Sequence, residues 1–437
     1  MTSHSKGSAA IDHVEGAVDD CDVQPTAQEK PVFRKTTESF ISGARTLPQQ
    51  HFVSAEVFGQ EQEKIFADHW ILAGHQSQLQ SSGDYLVATI AGESVIIVRG
   101  QDFHIRGFYN VCRHRGTRLC ESLTGHVRAI QCPYHAWTYG LDGKLIGAPH
   151  MEEVPGFDKA DYSLQATNLE LWEGFIFVNL GRGASTRLRT ETTARPAARS
   201  RYSVKEWFAS LAGKFSQWNL PNLNSAKRIE YDVKANWKLI FENYSECYHC
   251  PGVHPALSKV SPYDSAENDL VEGPFLGGFM RINRGKSLTM SGNACAILVS
   301  DQDQDQDQDQ DQDQDQEHER KGEHRVFYYS IFPNMLLSMH PDYVLVHQLR
   351  PQSPDRTLIY CDWFFHPDAA TREDFRPNDA VEFWDMTNKQ DWHVCELSQQ
   401  GIASRAYQPG PYSARESIPA AWDRYYLQIM NDLQVNR

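Results

Sequence analysis

Two short segments constrain this chain more than anything else in it. They are Cys112-Arg113-His114 and Cys132-Pro133-Tyr134-His135, with seventeen residues between His114 and Cys132. Each offers one thiol and one imidazole, in the order C-x-H and then C-x2-H. The flanks, Arg115-Gly116 after the first and Ala136-Trp137 after the second, read as tight loops under apolar cover. Two thiolates with two imidazoles suit a [2Fe–2S] cluster with Cys on one iron and His on the other. Structural zinc is the commoner use of closely spaced Cys and His. Zinc modules pair their ligands as C-x2-C or H-x3-5-H, so the mixed order here favours the cluster, with zinc as the alternative.

The 437 residues exceed what one hydrophobic core usually supports, so more than one domain is expected. A hydrophobic fraction of 40% and an aromatic fraction of 11% describe an ordinary soluble globular protein, expected in the cytoplasm. No apolar run reaches the 18 or more residues of a membrane span, so no membrane partner is expected. The N-terminal stretch lacks the pattern of a signal peptide, and residues 1–45 read as a disordered tail. A net charge of −15 argues against a nucleic-acid partner. Eight of those charges belong to the Asp-Gln repeat at 301–316, and without them the balance is −7. So repetitive a segment buries no apolar surface and reads as a solvated low-complexity loop. Beyond Cys112 and Cys132, the cysteines 21, 120, 247, 250, 295, 361 and 395 show no paired framework, and free thiols in a reducing compartment are expected. Cys247 and Cys250 form a C-x2-C for which a redox or metal role is the alternative.

Residues 46–70 contain a helical apolar pattern, Ser54 to Trp70, and read as an N-terminal helix packing on the C-terminal domain. Residues 71–180 alternate short apolar runs with Gly and Asp turns, the pattern of a small all-β domain, and both Cys/His segments fall inside it. Residues 181–203, rich in Arg, Thr, Ala and Ser, read as a linker or insertion. Residues 204–437 mix "ANWKLIFENYSECYHC", read as one helix, a meander turning at Pro333, Pro341 and Pro354, and a long helix that stops near Gly401. The fold class is therefore α+β, with an antiparallel sheet carrying helices on one face.

A second site follows from the first of those helices. Asn243, Glu246 and His249 step along one face at three-residue intervals, and Pro251-Gly252 ends the helix before His254, so the chain can bend and bring both imidazoles to one point. The spacing does not match the H-E-x-x-H of zinc proteases. Two His with one carboxylate from elsewhere make the facial triad of non-haem Fe(II) oxygenases, which leaves positions open for O2 and substrate. The alternative is a pair of ordinary polar residues at a helix end.

"NVCRHRGTRLC", "CPYHAWTYGLDGKL" and "NWKLIFENYSECYHCPGVHP", in that order, resemble the catalytic α subunits of Rieske non-haem iron oxygenases, the ring-hydroxylating oxygenase family. The likeness spans nearly the whole chain after the tail. It implies an all-β Rieske [2Fe–2S] domain with Cys112, His114, Cys132 and His135 on the cluster. It also implies a helix-grip catalytic domain with mononuclear Fe(II) on His249, His254 and Asp391; Asp385 and Asp362 are weaker candidates for the third ligand. Glu246 stands where family members bridge a cluster His of one subunit, here His135, to the iron His of its neighbour, here His249, in a homotrimer. Electrons would come from a separate NAD(P)H-dependent flavin or ferredoxin reductase, since the chain shows no dinucleotide fingerprint. O2 and a small molecule would be the substrates. The C-terminal "FWDMTNKQDW" and "QQGIASRAYQPGPYS" resemble the glycine betaine, choline and carnitine monooxygenase branch. That branch implies N-methyl hydroxylation and demethylation, with an aromatic cage around the trimethylammonium group. Tyr248, Phe327, Tyr328, Tyr329, Phe332, Trp363 and Phe364 are candidates for the cage. An aromatic ring (di)oxygenase is the alternative, and a non-catalytic electron carrier a more distant one. The Asp-Gln run and the Arg-rich insertion are departures from the family.

Overall fold

Strand alternation builds the larger part of the molecule. In Met335–Met339, Leu336 enters one apolar cluster while Met335, Leu337 and Met339 enter another. In Val344–Ser353, Leu345 and Leu349 face the first cluster, and Val344 and Val346 the second. A two-residue side-chain period makes this division automatic, and strands apolar at consecutive positions must be covered on both faces. These strands belong to an eight-stranded antiparallel sheet, in the spatial order Phe33–Lys35, Glu267–Asp269, Phe275–Ile282, His324–Ile331, Met335–Met339, Val344–Ser353, Arg356–Phe365 and Asn224–Val233. The computed structural model describes residues 33–181, 203–269, 273–296, 298, 324–373 and 375–431. The Asp-Gln run, Cys21 and nearly all of the 181–203 insertion lie outside the described residues.

One face of the sheet carries the helices α1 (Ala55–Glu61), α2 (Trp237–Tyr244), α3 (Pro377–Ile402) and α4 (Ser417–Met430). The other packs against short helical turns between 204 and 223 and a three-stranded sheet of Asn168–Trp172, Phe175–Asn179 and Ile71–His75. The Cys132 segment is the turn between Ile130–Gln131 and Thr138–Tyr139 of a small three-stranded sheet completed by Leu145–Gly147. The Cys112 segment follows Ile105–Tyr109, an edge of a four-stranded antiparallel sheet of Ile105–Tyr109, Glu93–Arg99, Asp84–Ile90 and Thr124–His126. Its alternation joins the two regions. Leu86, Ala88, Ile90, Val95 and Ile97 share the core of the larger sheet. Tyr85, Val87, Ile96 and Val98 face the loops of Cys112 and Cys132.

Three local expectations change. Residues 33–45, expected within the tail, are ordered: Phe33–Lys35 pairs with Glu267–Asp269, because the Phe33 ring packs edge-on against Phe279 at 5.0 Å. The α-helix after Ser54 gives way at Gln62–Phe66 to a wider i to i+5 turn and ends before Trp70. The segment expected as one helix through Cys250 is helical only over Trp237–Tyr244, resuming as a single turn at Cys250–Val253. Ser245 Oγ bonds back to the Phe241 carbonyl at 2.6 Å, and the Glu246 carboxylate captures the N–H groups of Tyr248 and His249. Side chains that satisfy local backbone groups in this way compete with continuation of a helix.

α2 is also held from beneath by a buried charge pair. Glu61, fully buried, accepts from Lys238 Nζ at 2.5 Å, Trp237 Nε1 at 2.9 Å and Tyr426 Oη at 2.7 Å. Glu61→Leu leaves the Lys238 ammonium buried and unpartnered, and is expected to destabilise the fold by about 3–5 kcal/mol. Denaturant unfolding checks this, and an unchanged midpoint would refute it.

Candidate metal centres

The two Cys/His loops are built alike. Cys112 N–H donates to Thr117 O at 2.8 Å and Gly116 N–H to Cys112 O at 3.0 Å. Cys132 N–H donates to Trp137 O at 2.8 Å and Ala136 N–H to Cys132 O at 3.1 Å. Each tight loop turns through a residue of positive φ, Gly116 at +76° and Ala136 at +56°. Glycine adopts that conformation freely, whereas an alanine holds it only when the surroundings enforce it. Both thiols are buried, and His114 and His135 are exposed, their ring centroids 4.8 Å apart. The apolar cover expected over the second loop is absent at Pro133, Tyr134 and Ala136, all exposed, because the hairpin tip projects from the sheet; Trp137 alone is buried.

The donor set fits an iron–sulfur cluster. Burial works against a thiolate at Cys132, but the N–H groups of Tyr134 and His135, with Cys112 and Thr117, hold its pKa below the usual thiol value. Tyr139 Oη accepts from Arg113 N–H at 3.0 Å and lies 3.3 Å from Cys112 Sγ, placed to donate to that sulfur. A tetrahedral zinc with bonds of about 2.0–2.3 Å would draw four donors to within about 3.3–3.8 Å of one another. Among the described residues no group of three ligand atoms within 4.8 Å forms from these four residues, as one does at His249, Cys250 and His254. Two thiols and two imidazoles offer the division a two-iron cluster takes, Cys on one iron and His on the other.

At the second centre three donors close on one point. His249 Nε2 lies 3.2 Å from His254 Nε2, and Asp391 Oδ1 lies 2.8 Å from His254 Nε2 and 3.3 Å from His249 Nε2. An octahedral ion with bonds of about 2.1 Å sets neighbouring donors about 3.0 Å apart, so this triangle matches one octahedral face. Each imidazole is oriented from behind. His249 Nδ1 meets Glu246 Oε1 at 2.5 Å, and His254 Nδ1 meets Gln390 Oε1 at 2.8 Å. Acceptors on both Nδ1 atoms select the tautomers whose Nε2 lone pairs face the metal position. Burial opposes charge on His249, yet the Asp391 and Glu246 carboxylates outweigh it and raise its pKa to about 10. The site is thus built to surround positive charge. Asp385 accepts from Tyr231 at 2.9 Å and Lys389 at 2.6 Å, and Asp362 is paired with Arg228, so both weaker candidates are engaged elsewhere.

Two corrections concern neighbours of the centre. Cys247 and Cys250, expected as free thiols, are joined in a disulfide. The broken helix places the two sulfurs side by side, so Cys250 Sγ, 4.0 Å from His249 Nε2, has no thiolate to offer. Of the seven aromatic residues expected as a cage, only Tyr248 and Tyr328 line the cavity beside the centre. Strand alternation turns Phe327 and Tyr329 to the opposite face, and Phe332, Trp363 and Phe364 belong to the core. Tyr244, Trp384 and Trp392 stand in their place; the Tyr328 ring lies 6.1 Å from Tyr244 and 6.4 Å from Trp384. Trp384, Thr387, Asn388 and Asp391 form an i, i+3, i+4, i+7 stripe on α3 that faces the cavity. That stripe, and Gln390 beside the carboxylate, went unread in the sequence; the helical period was the available signal. The cavity measures about 120 Å3, and since one of about 150 Å3 accepts benzene, a compact substrate fits.

Comparison with known proteins agrees with this architecture. The Rieske [2Fe-2S] domain model matches residues 69–158, and the ring hydroxylating alpha subunit (catalytic domain) model matches residues 220–432. The glycine betaine monooxygenase oxygenase subunit of Chromohalobacter salexigens is 31% identical over 388 residues, 85% of this chain and 82% of that protein. Its counterpart from Pseudomonas aeruginosa is 30% identical over 425 residues, 89% and 90% of the two chains. A solved quaternary ammonium Rieske monooxygenase, described for carnitine oxidation by gut microbiota and inter-subunit electron transfer, superposes with a TM-score of 0.71 at 25% identity, covering 92% of this chain and 100% of that one. Among the described residues no helix is long and apolar enough to cross a membrane.

Proposed function

Since the chain belongs to the Rieske ring-hydroxylating oxygenase α-subunit family, with a [2Fe–2S] cluster and mononuclear iron as its cofactors, we propose that it hydroxylates an N-methyl group of a small quaternary ammonium compound. The observation that carries this reading is the donor triangle of His249, His254 and Asp391 opening on a cavity walled by Tyr244, Tyr328, Trp384 and Trp392. Ring faces attract a trimethylammonium group and hold a methyl carbon toward the metal position. Cys112, Cys132, His114 and His135 hold the cluster, which supplies electrons when bound, while the iron activates O2. The N-hydroxymethyl product then breaks its C–N bond, giving the tertiary amine, formaldehyde and a proton.

The cluster loops within 71–180 form the electron-receiving domain, residues 204–437 the oxygenating one, and 46–70 pack upon the latter. A separate NAD(P)H-dependent reductase loads the cluster. In a homotrimer the exposed His135 of one subunit approaches the partly exposed Glu246 of the next. Glu246 Oε1 meets His249 Nδ1 and Oε2 accepts from the N–H groups of Tyr248 and His249, which leaves one lone pair, on Oε1, to accept from a neighbouring imidazole.

A substrate panel tests the reading. Glycine betaine, carnitine and choline are expected to perturb the Fe(II)-nitrosyl EPR signal and to yield formaldehyde. Perturbation by aromatic acids, with the quaternary compounds silent, would point instead to ring hydroxylation.

A further inference from the structure

The charges lining the cavity are unevenly matched. Three carboxylates line it: Glu246, held by His249; Asp391, held by both imidazoles; and Glu267, whose Oε1 accepts from Arg281 at 2.7 Å. Arg415 is the one Lys or Arg side chain in the described lining, and among the described residues its guanidinium has no hydrogen-bond or ion-pair partner. Its contact is with the face of Tyr263, also in the lining, 4.9 Å from the ring centroid. The adjacent Glu416 does not answer it, since that carboxylate accepts from Ser413 N–H at 2.7 Å. A guanidinium whose one side-chain contact is an aromatic ring face keeps its N–H donors unengaged, and its planar fork matches a carboxylate bidentately.

We propose that Arg415 anchors the carboxylate of the substrate. The cavity then takes N-methylated zwitterions, with the cationic end on the aromatic wall and the anionic end on Arg415, and discriminates against trimethylammonium compounds that lack a carboxylate. This rests on the quaternary ammonium reading and goes further, because the aromatic wall alone would hold glycine betaine and choline alike. Discrimination resides in the anchor: a ligand without the carboxylate leaves the guanidinium unmatched.

The matched pair of probes is glycine betaine and choline, which share the trimethylammonium group and differ at the carboxylate. The wild-type holoenzyme is expected to prefer glycine betaine. Arg415→Gln should lower kcat/KM for glycine betaine roughly 10- to 100-fold, mainly through KM, and leave choline within about threefold. Arg415→Lys, retaining the charge without the fork, should fall between. Calorimetric titration of the metal-free protein should show glycine betaine binding weakened by a similar factor in Arg415→Gln. An equal loss on both probes, an unchanged ratio, or a wild-type preference for choline overturns the proposal while leaving the quaternary ammonium reading intact. A wild-type protein that binds neither probe overturns both.

Discussion

Asp391→Ala is expected to empty the mononuclear site and spare the cluster. Iron content should fall from about three per chain to about two, with the visible spectrum of the cluster unchanged. The structural ground is the donor triangle: without Asp391 Oδ1, two imidazoles 3.2 Å apart remain, with no anionic ligand between them. Oxygenation should drop on the order of 10³-fold or more, equivalent to about 4 kcal/mol or more of lost barrier lowering. Asp385→Ala is the control. Its carboxylate serves Tyr231 and Lys389, so that variant should keep its iron. Retention of about three irons by Asp391→Ala, or their loss from Asp385→Ala, would reassign the third ligand.

Glu246→Gln is expected to separate metal binding from electron delivery. The amide preserves shape and can still accept from His249 Nδ1, so both centres should remain loaded when iron is in excess; losing such a supporting group costs about 10–100-fold in metal affinity. The negative charge that would hold an imidazole on each side is gone. In a single turnover with substrate and O2, the reduced cluster should reoxidise at least about 100-fold more slowly than in the wild type, with spectrum and iron content intact. Full-speed reoxidation would remove Glu246 from the electron path, and loss of iron would show that it acts only by orienting His249.

Legibility in the sequence followed the range of the interactions. The cluster loops could be read because each is a closed local unit: six residues, two backbone hydrogen bonds and one residue of positive φ shape the turn that carries the Cys and His donors. The α+β class was legible for a similar reason, since alternating strands and the α3 period are short-range patterns. His249 and His254 were legible as a pair, but the means of their meeting was not. The helix ends at Tyr244, ahead of the Pro-Gly expected to stop it, because Ser245 and Glu246 side chains take up backbone groups that a helix would need.

What the sequence determined by itself, then, is the chemistry: which thiols, imidazoles and carboxylates are present, and that two loops of a β domain carry a mixed Cys/His set. What the tertiary structure alone decided is convergence. Asp391 lies 137 residues from His254, yet its Oδ1 comes within 2.8 Å. Gln390, Tyr244, Trp384 and Trp392 acquire their positions from α2 and α3 packing on the sheet, while Phe327 and Tyr329, adjacent to Tyr328, are carried to the opposite face. Side-chain direction over such distances depends on burial summed across many strands and helices, and no local spacing records that sum.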